Sequence, residues 1–258
     1  MSTTVDLSVV VTVHSETLVC GPTMDSAERA VAAARAAGHT VQPIIALDNP
    51  TDATSDYFDQ QGFDDWERRL MHEGDPGRVR NAIVPETAGR FTAFLDGDDL
   101  FSENWLADGV TLLKEAEAQG SRVIAHPELN VIFDGGTQLN HNLGQDSPLF
   151  TPHFLYVRNC YDTLCLTPRD AHLAVPYGKR DIAHGISRED WQFGVETMAR
   201  GWRHVIVPDT IIFKRRRDFS MMVESTGRGA LLRSLPEMRI DRIRDLGREP
   251  DPATPVAD

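Results

Sequence analysis

Residues 90–99 read Arg90-Phe-Thr-Ala-Phe-Leu-Asp96-Gly97-Asp98-Asp99. A short apolar run, ending at Leu95, opens directly into three carboxylates in four positions. The run is strand-like, and the glycine marks the turn that ends it. Carboxylates at that density repel one another, and a hard divalent cation relieves the repulsion. Mg2+ or Mn2+ also keeps coordination positions open for phosphate oxygens, so such a turn suits a diphosphate ligand. An acidic loop capping the helix that starts near Glu103 is the structural alternative.

Upstream, the pattern alternates. Leu7 to Val13 is β-branched and nearly continuous, as expected of a strand covered on both faces. A helix follows over Pro22 to Ala37, with Gly38 as its stop, then a strand over Val41 to Leu47. A short helix over Asp52 to Gln61, a weak strand over Arg68 to His72 and a helix from Pro76, ended near Pro85, complete the approach to Arg90. This rhythm predicts an α/β fold with a mainly parallel sheet and right-handed crossovers. Ligands of such sheets bind at the carboxyl ends of the strands. The polar segments after Val13, Leu47 and Leu95 all fall on that edge.

Downstream, the spacing predicts a helix over Glu103 to Gln119 and strands over Arg122 to Ala125 and Leu129 to Phe133. Residues 134–148 read as a mobile loop, a lid or an acceptor loop. A helix over Arg188 to Arg200, ended by Gly201, precedes short strands over Val205 to Val207 and Ile211 to Phe213. The Pro- and Asp-rich tail over 249–258 reads as disordered. No internal repeat is present.

The 258 residues carry 26 Lys plus Arg against 39 Asp plus Glu, a net charge of −13. That balance repels phosphate backbones and argues against a nucleic-acid partner. Cys20, Cys160 and Cys165 form no CxxC pair, and an odd count without a leader fits a reducing compartment. The first apolar run is too short to span a membrane, so the expected location is cytoplasmic.

The run Gly77-Arg-Val-Arg-Asn81, then Ala93 to Asp99 and on to Asn104-Trp-Leu106, resembles the surroundings of the Asp-x-Asp motif in GT-A glycosyltransferases, family 2 in particular. The resemblance covers about residues 7–217. It implies a GT-A fold, a Rossmann-like and mainly parallel sheet with helices on both faces and a mixed acceptor-side half. It implies a nucleotide-sugar-binding half over 1–119 and an acceptor-binding, catalytic half of the same domain over 120–248. The implied activity is inverting transfer from a nucleoside-diphosphate sugar to a hydroxyl of a saccharide or lipid-linked acceptor, with Mn2+ or Mg2+ as cofactor. Asp98, alone or with Asp99, would ligate the metal, while Asp96 and Gly97 face the ribose or nucleotide.

Val9-Val-Val-Thr-Val-His-Ser-Glu16 is similar to the family's first strand, which usually ends Pro-x-Tyr-Asn. Here Thr12 stands at the proline, His14 at the tyrosine and Ser15 at the asparagine. The match places Thr12, His14 and Glu16 beside the donor, where an imidazole can stack on a base or donate to it. Asp48 matches the aspartate that pairs with the nucleobase, a role compatible with an Asx turn through Asn49 and Pro50. Arg80 would lie against the base or ribose, or else on a solvated helix face.

Ser187-Arg-Glu-Asp-Trp-Gln-Phe193 resembles the family's Glu-Asp motif at a helix start. It implies Asp190 as the catalytic base, with Glu189 and Trp191 toward the acceptor. Carboxylates in a first helical turn also arise for electrostatic reasons alone, and Trp191 is equally suited to core packing. In the run from His204 to Arg217, strand alternation sends Arg215 and Arg217 to one face and Lys214 and Arg216 to the other. The resemblance implies that Arg215 or Arg217 meets the departing diphosphate, with a solvated edge strand as the alternative. His126, His153 and His184 show no ligand spacing.

Two other readings stay open. A nucleotidyltransferase would carry a Gly-rich basic loop after its first strand, and Val13-His-Ser-Glu16 has none. A catalytically degenerate nucleotide-sugar-binding domain is favoured by the atypical first strand and disfavoured by intact Asp98 and Asp190. The stretch from Arg228 to Arg248 reads as a solvated or subunit-contact helix, with at most peripheral membrane contact. Homo-oligomerisation stays open.

Overall fold

The computed structural model describes residues 4–217 and 221–246. β1 (Leu7–Val13), α1 (Cys20–Ala36), β2 (Val41–Asp48), α2 (Asp52–Gln60), β3 (Glu67–Met71), α3 (Pro76–Ile83) and β4 (Phe91–Asp96) follow the expected alternation. β1 is buried at every position except Thr12, which is half-buried. Successive strand residues point to opposite faces, so the sheet is covered on both. Asp75 caps α3 by accepting the Arg78 N–H at 3.1 Å, and Pro76 fills the first helical position. β1 pairs in parallel with β2 and β4, and β2 with β3. The strand ends at Val13, Asp48 and Asp96 therefore share one edge.

The second half is mixed. β5 (Leu100–Phe101), α4 (Trp105–Ala118), β6 (Val123–Phe133), β7 (Gln138–His141), β8 (Leu166–Pro168), α5 (Arg169–Ala174), β9 (Ile186–Ser187), α6 (Glu189–Ala199), β10 (Arg203–Arg215), α7 (Met221–Gly227) and β11 (Leu231–Leu232) complete the described chain. The main sheet runs β3-β2-β1-β4-β8-β6-β10-β5, with β7 added to β6. β8 is antiparallel to β4 and β6, whereas β10 is parallel to β6. β9 and β11 form a separate parallel pair. The main core runs from β1 through α4 to Ile212. A smaller cluster joins Val195 and Met198 of α6 to Leu155, Leu235, Ile243 and Leu246.

Four expectations change. The strands expected over 122–125 and 129–133 are one strand, β6, running through Pro127; those expected at 205–207 and 211–213 are likewise one strand, β10. The register between them shifts between Val207 and Ile211. Asp209 adopts φ +58° there, and its N–H donates to Glu128 at 2.7 Å. This bulge accommodates a proline, which has no N–H for a ladder. The expected loop over 134–148 contains β7, which hairpins back onto β6 after a turn at Asp134 and Gly136, both at positive φ. Within 228–246 there is no long helix, only β11 and 3-10 turns at Pro236–Met238 and Ile243–Asp245. Pro236 and left-handed Gly229 interrupt the pattern. Residues 247–258, including the tail, lie outside the described residues.

β6 and β10 also bury two histidines. His126 Nε2 lies 2.8 Å from His204 Nδ1, and His204 Nε2 lies 2.9 Å from the Thr197 hydroxyl on α6. The Tyr161 ring stacks on both imidazoles. Burial depresses both, His126 to about 3, so both rings are neutral in the fold. Once unfolded they protonate near 6.5, so their contribution is present above that pH and is lost as pH falls through it. Urea unfolding at pH 7 and pH 5 checks this: stability drops at pH 5, and His126→Gln removes up to about 2 kcal/mol of that drop.

Candidate functional site

The 96–99 turn is tied to the end of β1. The Gly97 N–H donates to the Thr12 carbonyl at 2.8 Å. A Cβ at Gly97 would lie 3.1 Å from that carbonyl oxygen and 3.3 Å from Val13 Cγ2, so this close approach favours glycine. The Thr12 hydroxyl donates to Asp96 Oδ1 at 3.0 Å.

Each aspartate of the turn has a different cation. Arg80, 3% exposed, donates to Asp96 Oδ1 at 2.6 Å and lies over the rings of Phe94 and Tyr177. Its neighbour Asn81 clasps the Tyr177 backbone with both amide atoms, at 2.8 and 2.9 Å. Arg217 reaches Asp98 at 2.5 Å and Glu16 at 2.9 Å. Lys214 lies 3.6 Å from Asp99 and 2.7 Å from Asp162. Asp99, 3% exposed, also accepts the Arg215 backbone N–H at 2.8 Å. The Arg215 guanidinium lies over the Phe133 ring and on Asp134, and its Nε donates to the Asp98 carbonyl at 3.2 Å. Because the strand ends at Arg215, the expected alternation fails at Arg217: Lys214 and Arg217 reach aspartate carboxylates, whereas the Arg215 side chain reaches only a backbone carbonyl of the turn. Burial and the Asp96 charge raise the Asp98 carboxyl above its ordinary range; Asp99 is raised too, chiefly by burial.

At the neighbouring strand ends, Asp48 is committed to the backbone. Its carboxylate accepts the N–H of Glu73 at 2.7 Å and of Gly74 at 2.8 Å. His14 is exposed, and its Nδ1 donates to the Asp48 carbonyl at 2.7 Å, leaving Nε2 toward solvent. Glu16 accepts the N–H groups of His14 and Ser15 at 2.8 and 3.0 Å, which closes the loop after β1.

Asp190 lies in the first turn of α6 and is half-buried. Arg188 before it is left-handed, φ +75°, a conformation that costs a non-glycine residue about 1–2 kcal/mol. Asp190 Oδ1 accepts the Trp191 N–H at 2.8 Å, and Oδ2 accepts Asn159 Nδ2 at 2.7 Å. Burial, then the charges of Asp162 and Glu189, push its carboxyl up to about 6. Trp191 packs on the small cluster of α6, and its indole N–H is buried without an acceptor. Glu189 lies near Gly77 and within the field of Arg80.

The donor set at Asp98, with Asp96 and Glu16 close in charge, fits a hard cation. Among the described residues, no three His, Cys, Asp or Glu side chains form a closed metal cage. Mg2+ and Mn2+ do not require such a cage, because they bind through one or two carboxylates plus phosphate. Sequence reasoning missed Asn159, Asp162 and Tyr177, which lie in irregular segments with no periodicity or motif spacing. It quoted Lys214 but placed it on the wrong face. For Asp48, Asp48→Ala leaves two amide donors without their acceptor and destabilises the chain by about 1–3 kcal/mol in urea unfolding.

Comparison with known proteins is consistent with this geometry. The profile described as Glycosyl transferase family 2 matches residues 8–160, more than half of the chain. No curated protein matches. Among solved structures, S. aureus TarS 1-349 with UDP-GlcNAc superposes at TM-score 0.62 with 15% identity, covering 84% of this chain and 60% of that one. GalNAc-T7 with UDP, GalNAc and Mn2+ gives TM-score 0.58 at 14% identity, over 84% and 45%. Mannosyltransferase PcManGT from Pyrobaculum calidifontis, with GDP-Man and Mn2+, gives 0.57 at 12% identity, over 84% and 59%. The chain thus spans at most 60% of each of these three. At such identities they share its fold, the GT-A arrangement of a mainly parallel sheet with a mixed second half. The family profile goes further: this chain belongs to glycosyl transferase family 2.

Proposed function

We propose that the chain is a metal-dependent, inverting glycosyltransferase that moves a sugar from a nucleoside-diphosphate donor to an acceptor hydroxyl. The observation that carries this reading is Asp190: a half-buried carboxylate at a helix start, held from both oxygens, with its carboxyl raised to about 6. A base with that affinity accepts a proton near neutral pH. Asp190 takes the proton of the acceptor hydroxyl as its oxygen attacks the anomeric carbon and the bond to the diphosphate breaks. Asp98 would hold Mn2+ or Mg2+; when bound, the cation supplies Lewis-acid neutralisation of the departing diphosphate. Arg217, next to Asp98, is the better placed of the two expected arginines to meet that charge. Asp99 is turned inward onto the Arg215 backbone, which favours Asp98 as the ligand.

Arg80 and Thr12 hold Asp96 toward the donor, and His14 offers its free ring nitrogen beside the base. UDP and GDP are the first nucleotides to test, given the donors of the structural neighbours. The acceptor is a saccharide or lipid-linked hydroxyl near Glu189 and Trp191. No helix among the described residues is long and apolar enough to cross a membrane, so contact with a lipid-linked acceptor would be peripheral.

Asp190→Asn is expected to spare donor binding and to lower turnover by about 10²–10⁴-fold, measured as transfer or donor hydrolysis. Full turnover in that variant would show that another base is used. Because the carboxylate form accepts the proton, kcat/KM rises with pH through about 6 and levels above it. Thermal unfolding with UDP or GDP, with and without Mn2+, should show a metal-dependent rise in the parent and none in Asp98→Ala. A normal rise in the variant would rule out Asp98 as the ligand.

A further inference from the structure

One loop outside every sequence motif touches both ends of the site. Asn159 donates its amide to Asp190 Oδ2 at 2.7 Å and accepts the Tyr161 N–H at 3.2 Å through its other amide atom. Its side chain is thereby fixed from both ends, so its donor has one direction. Three residues on, Asp162 accepts the Leu164 N–H at 3.0 Å and holds Lys214 at 2.7 Å. Lys214 in turn reaches Asp99. The loop therefore connects the helix start bearing Asp190 to the metal-holding turn through two side chains.

We infer that the loop from Asn159 to Leu164 is the positioning element of the base: Asn159 fixes the direction of the Asp190 carboxylate, and Asp162 sets the charge beside it. The inference rests on the reading of Asp190 as base, though its electrostatic half can be measured without turnover. The other charged and titratable groups facing Asp190 are Glu189 on its own helix, Lys214 on β10 and buried Tyr177. Arg80 faces Glu189 and Asp162. Within this set the two loop residues act in opposite senses. An amide donated to a carboxylate stabilises its charged form, whereas a neighbouring carboxylate disfavours it. Burial raises the Asp190 carboxyl most, and the charge of Asp162 adds to it.

The test follows the Asp190 carboxyl by 13C chemical-shift titration of the full chain, with the resonance assigned by its absence in Asp190→Asn. Asn159→Ala should move the midpoint up by about one pH unit, and Asp162→Asn should move it down by a comparable amount. The acid limb of UDP release from UDP-GlcNAc, or of GDP release from GDP-mannose, should move with it. A one-unit upward shift makes turnover below the limb about tenfold slower. General loosening of the fold cannot move one midpoint up and down from two positions of the same loop. Midpoints unmoved in both variants, or displaced in the same direction, would overturn the inference. If one variant fails to fold, the sign in the other decides. Turnover retained in Asp190→Asn would instead remove the base reading while leaving the measured shifts intact.

Discussion

Three carboxylates in four residues cannot share one turn unless their mutual repulsion is answered, and here the answer is distributed. Arg80 of α3 takes Asp96, Arg217 beyond β10 takes Asp98, and Lys214 of β10 takes Asp99. The cations come from two stretches far apart in sequence, Arg80 in one and Lys214 with Arg217 in the other, so their requirements constrain how those stretches meet. α3 must bring Arg80 beneath β4. β10 must run the full length of β6 to deliver Lys214. Pairing a buried charge is costly to break, because the remaining partner is left without compensation. The same arrangement leaves Asp98 as the aspartate whose partner is least enclosed, since the Arg217 side chain is 39% exposed, against 19% for Lys214 and 3% for Arg80. The turn thus contains one carboxylate held by a buried arginine, Asp96, one turned inward, Asp99, and one paired with a half-exposed arginine, Asp98.

Much of the fold was legible from periodicity. The parallel set from β1 to β4 came from continuous apolar runs separated by helix-like stretches, because strands buried on both faces have that composition. The second half was harder. The sequence reading leaves a gap over 126–128 of β6, a stretch that holds Pro127, and a proline inside a central strand is uncommon. The partner strand has its own break: the register of β10 shifts between Val207 and Ile211, at Pro208 and left-handed Asp209. The helix expected in 228–246 failed for a related reason: charge spacing is compatible with a helix, but Pro236 and Gly229 outweigh it.

At the site, motif residues were located by resemblance, whereas the contacts that orient them were not legible. Asp48 illustrates the limit. A carboxylate at a strand end reads as a ligand group, yet its two oxygens already accept two backbone amides of the following loop. Arg80-Asn81 reads as a unit, and the structure divides it: one side chain holds the acidic turn at Asp96, the other clasps the backbone at Tyr177. Asn159 and Asp162 had no sequence signal at all, because their relation to Asp190 and Lys214 exists only in three dimensions.

The pairing of β9 with β11, and the apolar contacts of Leu235, Ile243 and Leu246 beneath α6, have a consequence for biosynthesis. The helix carrying Asp190 emerges from the ribosome well before the segment that supports it. The aspartates of the turn emerge earlier still, more than a hundred residues ahead of Lys214 and Arg217. A nascent chain thus contains the β1–β4 segment while its acidic turn still lacks Lys214 and Arg217 and the helix start at Asp190 still lacks its apolar support. The surroundings of the turn and of α6 are complete only once residues 214–246 have been made.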